Sequence, residues 1–215
     1  MSFVVGKGVM AMYDVEKMKS DIENEVSPAK EGVKNQFADA FRRIYVSSKV
    51  PESFDGIGVE VKVSRIACHK DLESIFPGPG FYIIFTDSDV GQNPCRLVLG
   101  EQCRAVYRGE SYLVRKRVQS HLFNRWYRQD YEDREQEYVS RPEKTGKAYY
   151  EPFWPACLRL GDGSNGIDVD NDKYSKSQWF VVVHSMKGSS QEVRKQAERA
   201  FDDVFGKPVA SKERA

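Results

Sequence analysis

An α+β fold is the class the sequence predicts, on three observations. Apolar runs of strand type recur along the chain. Apolar stripes of helical spacing lie before, between and after them. Breakers concentrate at Pro77-Gly78-Pro79-Gly80, a candidate domain boundary. With 215 residues the chain is long enough for one large domain or two small ones.

Asp14 is placed to cap a short helix carrying Val15, Met18, Ile22 and Val26. Ser27-Pro28 is a second start signal, with proline at the first helical position. The helix that follows carries Val33, Phe37, Phe41, Ile44 and Tyr45, a stripe that needs a core to pack on. Val59, Val61 and Val63 alternate with Glu60, Lys62 and Ser64, the period of a strand. Residues 1–77 therefore form an α-rich N-terminal elaboration, and residues 78–215 the main domain. In the latter, Phe81 to Phe85 reads as a buried strand, and Asp87 to Pro94 as turn chemistry. Arg96 to Leu99 and Arg104 to Tyr107 read as short strands, and Ser111 as the cap of a helix beginning near Tyr112. An aromatic and charged insertion spans about 124–177. Gln178 to His184 is a strand. The last helix opens on a capping box of Ser189 and Glu192, carries Val193, Ala197, Phe201, Val204 and Phe205, and stops at Gly206 and Pro208.

Composition narrows the class of protein. Lys and Arg number 33 against 32 Asp and Glu, a net charge of +1. The mixed sign and 40% hydrophobic content argue against wholesale disorder. No stretch approaches the roughly 20 apolar residues of a membrane span, and no secretory signal is visible. Four cysteines without C-x-x-C spacing read as reduced thiols. The expectation is a cytoplasmic protein without a membrane.

Chemistry concentrates on the helix after Tyr107. Leu113, Val114, Val118 and Leu122 fall on one arc, and Arg117 and His121 lie inside it, one turn apart. A guanidinium and an imidazole on a core-facing surface each need a partner or a cleft. Spacing alone favours structural roles: an arginine paired to a buried carboxylate and a histidine satisfied by a carbonyl.

Gly80-Phe81-Tyr82 and Tyr107-Arg108-Gly109-Glu110-Ser111, followed by Arg117 and His121, resemble the GIY-YIG nuclease family. The strand 178–184 followed by Glu198, in the string Ala197-Glu198-Arg199-Ala200-Phe201 before Gly206-Lys207-Pro208, is similar to that family's third strand and glutamate helix. The resemblance covers Gly80 to Pro208 discontinuously; both tripeptides lack the isoleucine. The family's asparagine beyond the proline has no counterpart, Ser211 being the polar residue in that neighbourhood. The resemblance implies a small antiparallel sheet flanked by helices and a catalytic set of Tyr82, Tyr107, Arg117, His121 and Glu198. It implies Mg2+ (or Mn2+) anchored by Glu198, with mostly water ligands. It further implies Tyr82 as the group that activates or orients the attacking water. A phenol titrates near pH 10, so that role calls for a nearby cation, and Arg117 is positioned to supply it while binding the scissile phosphate. His121 would position a phosphate oxygen or relay a proton, and Tyr107 would complete the water network.

Charge distribution suits a polyanion. Arg104, Arg108, Arg115, Lys116, Arg117, Arg125 and Arg128 face a single acid, Glu110, in that stretch, whereas Gln129 to Tyr138 is acidic. Six of those seven cations (Arg117 aside, already in the catalytic set) are the candidate nucleic-acid contacts. Tyr149, Tyr150, Phe153 and Trp154 form an aromatic cluster that either stacks on bases or makes a small satellite core. Asp168 to Asp172 resembles the start of a calcium loop, but Lys173 and Trp179 stand where that loop needs Gly and Glu. The expected function is metal-dependent endonucleolytic hydrolysis of DNA, similar in layout to the family's restriction endonucleases. Cutting both strands would favour a homodimer through the N-terminal helices. Alternatives are a degenerate domain that binds nucleic acid without cutting, a nuclease toxin or repair nuclease, and an aromatic-faced protein-interaction domain.

Overall fold

A computed structural model describes residues 15–55, 60–125, 158, 160 and 166–211. Asp14, Val59, Arg128, Cys157 and the aromatic cluster Tyr149, Tyr150, Phe153 and Trp154 lie outside the described residues. Those that are described build an α+β fold on a five-stranded antiparallel sheet, in the order β1-β5-β2-β4-β3. The strands are β1 (Val61–Arg65), β2 (Gly80–Thr86), β3 (Val98–Leu99), β4 (Cys103–Ser111) and β5 (Trp179–Ser185). Helices are α1 (Val15–Ile44), α2 (Val114–Leu122), the single turn α3 (Asp172–Ser175) and α4 (Gln191–Phe205). No helix among the described residues is long and apolar enough to cross a membrane.

Strand β2 runs between β4 and β5 and is buried along its whole length. Its alternation divides the core in two. Phe81, Ile83 and Phe85 pack with Phe41 and Tyr45 from the α1 end and with Phe201 and Phe205 of α4. Tyr82 and Ile84 face the opposite way, with Val114, Val118 and Leu122 of α2 and with Ile66, Leu72 and Ile75. A strand covered on both faces has no need of polar alternation, which explains the continuous apolar run.

Several local expectations shift. One helix, α1, replaces the expected two, and Pro28 lies inside it. Proline removes one backbone donor and hence one intrahelical bond. Residues 21–29 are exposed, so water can serve the carbonyl that loses its partner. The Pro77–Gly80 breaker separates two strands of one sheet: β1, on its N-terminal side, pairs with β5, and α1 shares a core with α4. Helix α2 starts at Val114, with Leu113 in the cap position and 48% exposed rather than on the core arc. Ser111 contributes only by accepting the Leu113 N–H at 3.0 Å. At α4 the cap is Ser190, whose side chain accepts the Val193 N–H, and Ser189 instead bonds the Met186 carbonyl.

Candidate active site

Register sets the tyrosines. Tyr82 of β2 pairs with Gly109 of β4, and Ile84 with Tyr107, so Tyr82, Tyr107 and Gly109 share the sheet face covered by α2. A Cβ on Gly109 would lie 2.7 Å from the Tyr82 hydroxyl, so a glycine there makes room for the phenol. From α2, His121 brings Nε2 to 2.8 Å from that hydroxyl, and its ring lies 4.4 Å from the Tyr107 ring, centroid to centroid.

Tyr82 is 0% exposed, and Tyr107 is the partly exposed member of the trio. Burial is the largest influence on the phenol and pushes its pKa well above the usual tyrosine range. The nearby Tyr107 and Glu198 push the same way, while the Arg117 guanidinium pulls against them. Arg117 thus supplies the cationic field expected of it, but in the free protein burial outweighs that field and Tyr82 is a neutral phenol.

Glu198 arrives from the other face. Because β3 pairs only with Cys103 and Arg104, the distal half of β4 has edge N–H groups that β3 does not reach. Buried backbone donors require partners, and two side chains provide them. The Arg108 N–H donates to Ser211 Oγ at 3.0 Å, and the Glu110 N–H donates to Glu198 Oε1 at 2.9 Å. This edge holds the Glu198 carboxylate at the end of the sheet where the tyrosines meet α2. Ser211, the polar residue beyond the proline, is a strand-edge cap.

Charged side chains on the α4 side of β4 form a ladder with α4. Arg108 makes a two-pronged pair with Asp202, its Nε at 3.0 Å and Nη2 at 2.6 Å, and sits 3.5 Å from Glu198 Oε1. Glu110 accepts from Arg194 Nε at 3.0 Å and from Gln191 Nε2 at 3.2 Å. Glu110 and Arg194, each 4% exposed in the side chain, were not foreseen as site residues. A signal did exist: Arg194, Glu198 and Asp202 recur every four residues along α4, opposite the alternating Arg108 and Glu110 of β4.

The expected polyanion contacts divide. Arg108 is turned inward to Asp202 and Glu198, so its charge is engaged within the protein. Arg115 donates to the Glu73 and Ile75 carbonyls, tying α2 to the segment before β2. Arg104 and Arg125 are exposed, and Lys116 lines a cleft together with Arg117. Of the other histidines, His184 is half-buried beside Tyr45, and His69 contacts Gln119 and the Phe123 ring.

For a metal, one carboxylate fixed by a backbone N–H suits a hard cation that keeps most of its own waters. Glu198, with a side chain 21% exposed, is such a donor. Among the described residues no group of three or more His, Cys, Asp and Glu could cage an ion without them. No family model matches the chain, and neither a curated protein nor a solved structure does so.

Proposed function

We propose that the protein is a metal-dependent endonuclease of GIY-YIG type that hydrolyses DNA phosphodiester bonds, in the manner of a restriction enzyme. The supporting observation is the meeting of Tyr82, Tyr107 and His121 in one contact cluster, within the electrostatic reach of Arg117 and Glu198. These residues come from two strands and two helices that are far apart in sequence.

Arg117 would bind the scissile phosphate and offset its charge as the attack proceeds. Tyr82 would orient the attacking water through the partly exposed Tyr107, and His121 Nε2 would take the proton passed through the phenol. Glu198 would hold Mg2+ or Mn2+, which supplies a Lewis acid at the phosphate and cancels the carboxylate's upward pull on Tyr82. Arg108 and Asp202 would keep Glu198 in place rather than touch DNA. Cutting both strands would favour two active sites in one particle, and the exposed Met18, Ile22 and Val26 on α1 offer an apolar stripe for a second copy.

Cleavage of supercoiled plasmid with Mg2+ or Mn2+ tests the assignment. Wild type should nick or linearise the DNA, EDTA should stop it, and Glu198→Ala and Tyr82→Phe should be silent. A second reading, binding without cutting, draws on the complete burial of Tyr82, because a phenol sealed from water has no direct path to a nucleophile. Salt-dependent DNA retention with intact plasmid would select that reading. For the dimer, sedimentation should give two copies for wild type and one for Ile22→Glu.

A further inference from the structure

We propose that the cleft between the N-terminal ends of α2 and α4 is a nucleotide subsite, holding one phosphate and its stacked base beside the scissile position. The inference deepens the nuclease reading and rests on it for the identity of the strand. The cleft measures about 600 Å3, within the size range of small-ligand sites. Its chemistry comes in three layers.

At the base lie Glu110 and Arg194, paired at 3.0 Å, with Gln191 donating to the same carboxylate. This pair is neutral as a unit, so it attracts neither sign strongly. Above it, Lys116 and Arg117 of α2 bring two cationic side chains to the lining, the groups that bind a phosphate. The rim carries Tyr112, 70% exposed, next to Leu113. A bare phosphate has no use for a flat ring and an aliphatic side chain at its mouth, whereas a nucleobase does.

The cleft is joined to the candidate active site at two points. Arg117 lines it and acts on Tyr82, and Glu110 forms its base while its N–H holds Glu198. A strand whose scissile phosphate meets Arg117 would therefore place a neighbouring nucleotide against Lys116 and Tyr112. Filling the cleft would add affinity and fix register, because a base stacked on Tyr112 limits sliding of the backbone.

Calorimetric titration of the full chain with thymidine 3′,5′-bisphosphate tests the subsite, with inorganic phosphate as the comparison and plasmid cleavage run in parallel. Wild type should bind the bisphosphate at least about tenfold tighter than phosphate. Lys116→Gln and Tyr112→Ala should each weaken it about tenfold, and Lys116→Arg should restore it, with the thermal unfolding midpoint unchanged. Equal affinity for phosphate and bisphosphate overturns the proposal, as does binding indifferent to both substitutions. The bisphosphate bound as expected while plasmid survives would keep the nucleotide site and remove the nuclease reading. Plasmid cut by a protein whose bisphosphate binding ignores Lys116 and Tyr112 would do the reverse.

Discussion

The Tyr82 hydroxyl and His121 Nε2 stand 2.8 Å apart in the buried layer between β2 and α2. Both groups are buried, so the bond between them is made away from bulk water, and Tyr107 is a second hydrogen-bond partner of the phenol. His121→Ala should therefore act twice. Removing one hydrogen-bond partner of the buried phenol, together with the ring packed on Tyr107, should lower stability by about 1–3 kcal/mol, read by urea denaturation. On the proposed mechanism His121 takes the proton, so its loss should slow plasmid cleavage by about 100-fold or more. A variant that unfolds more easily yet cuts at the wild-type rate would confine His121 to packing.

Gly109 is required for a spatial reason rather than a conformational one. A Cβ there would sit 2.7 Å from the Tyr82 hydroxyl and 2.9 Å from Tyr107 Cε1. Gly109→Ala should displace both rings and, on the proposed mechanism, lower cleavage about tenfold or more, because small misplacements at a reacting centre are costly. Melting should move far less than activity, and the ratio of the two effects is the measurement.

Arg194 neutralises a carboxylate that is almost completely buried. Arg194→Met should destabilise the fold by about 3 kcal/mol, since it leaves Glu110 charged without its cation. Adding Glu110→Gln to that variant should recover a large part of the loss. A double-mutant cycle by chemical denaturation reads the coupling, and additive losses would show the two charges to be independent.

His184 makes stability depend on pH. Burial among Phe41, Tyr45 and Phe81 pushes its pKa down to about 4, against about 6.5 when unfolded. Between those values the unfolded chain binds the extra proton, so stability is whole above pH 6.5 and declines as pH falls toward 4. The difference amounts to about 3 kcal/mol. His184→Gln, which keeps an acceptor for the Tyr45 hydroxyl, should flatten the unfolding curve across that window. An unchanged pH slope would assign the effect to the carboxylates.

Much of the fold was legible in the sequence because its signals are local. The apolar run Phe81 to Phe85, the valine alternation around Val61 and the stripe ending in Phe201 and Phe205 need no knowledge of partners to be read as strand or helix. Helix starts were less legible. Competing serines at 189 and 190, and at 111 before Leu113, differ in which backbone N–H they can reach, a matter of one residue of backbone geometry. Pro28 misleads for a related reason: a proline marks a helix start only where the preceding turns cannot form, and here they do.

By itself the sequence determined the α+β class, the order of its main strands and helices, and which side chains had the chemistry to converge. Tertiary structure alone decided how they converge. It put Arg108 inside, where Asp202 and Glu198 hold it, although its place in a basic stretch pointed outward. It made Glu110 and Arg194 partners across 84 positions. It raised the Tyr82 pKa through burial despite the neighbouring Arg117. The physical reason is common to all three. Spacing along a chain reports which face a residue shares, whereas charge pairing and desolvation depend on what the opposite element brings to that face.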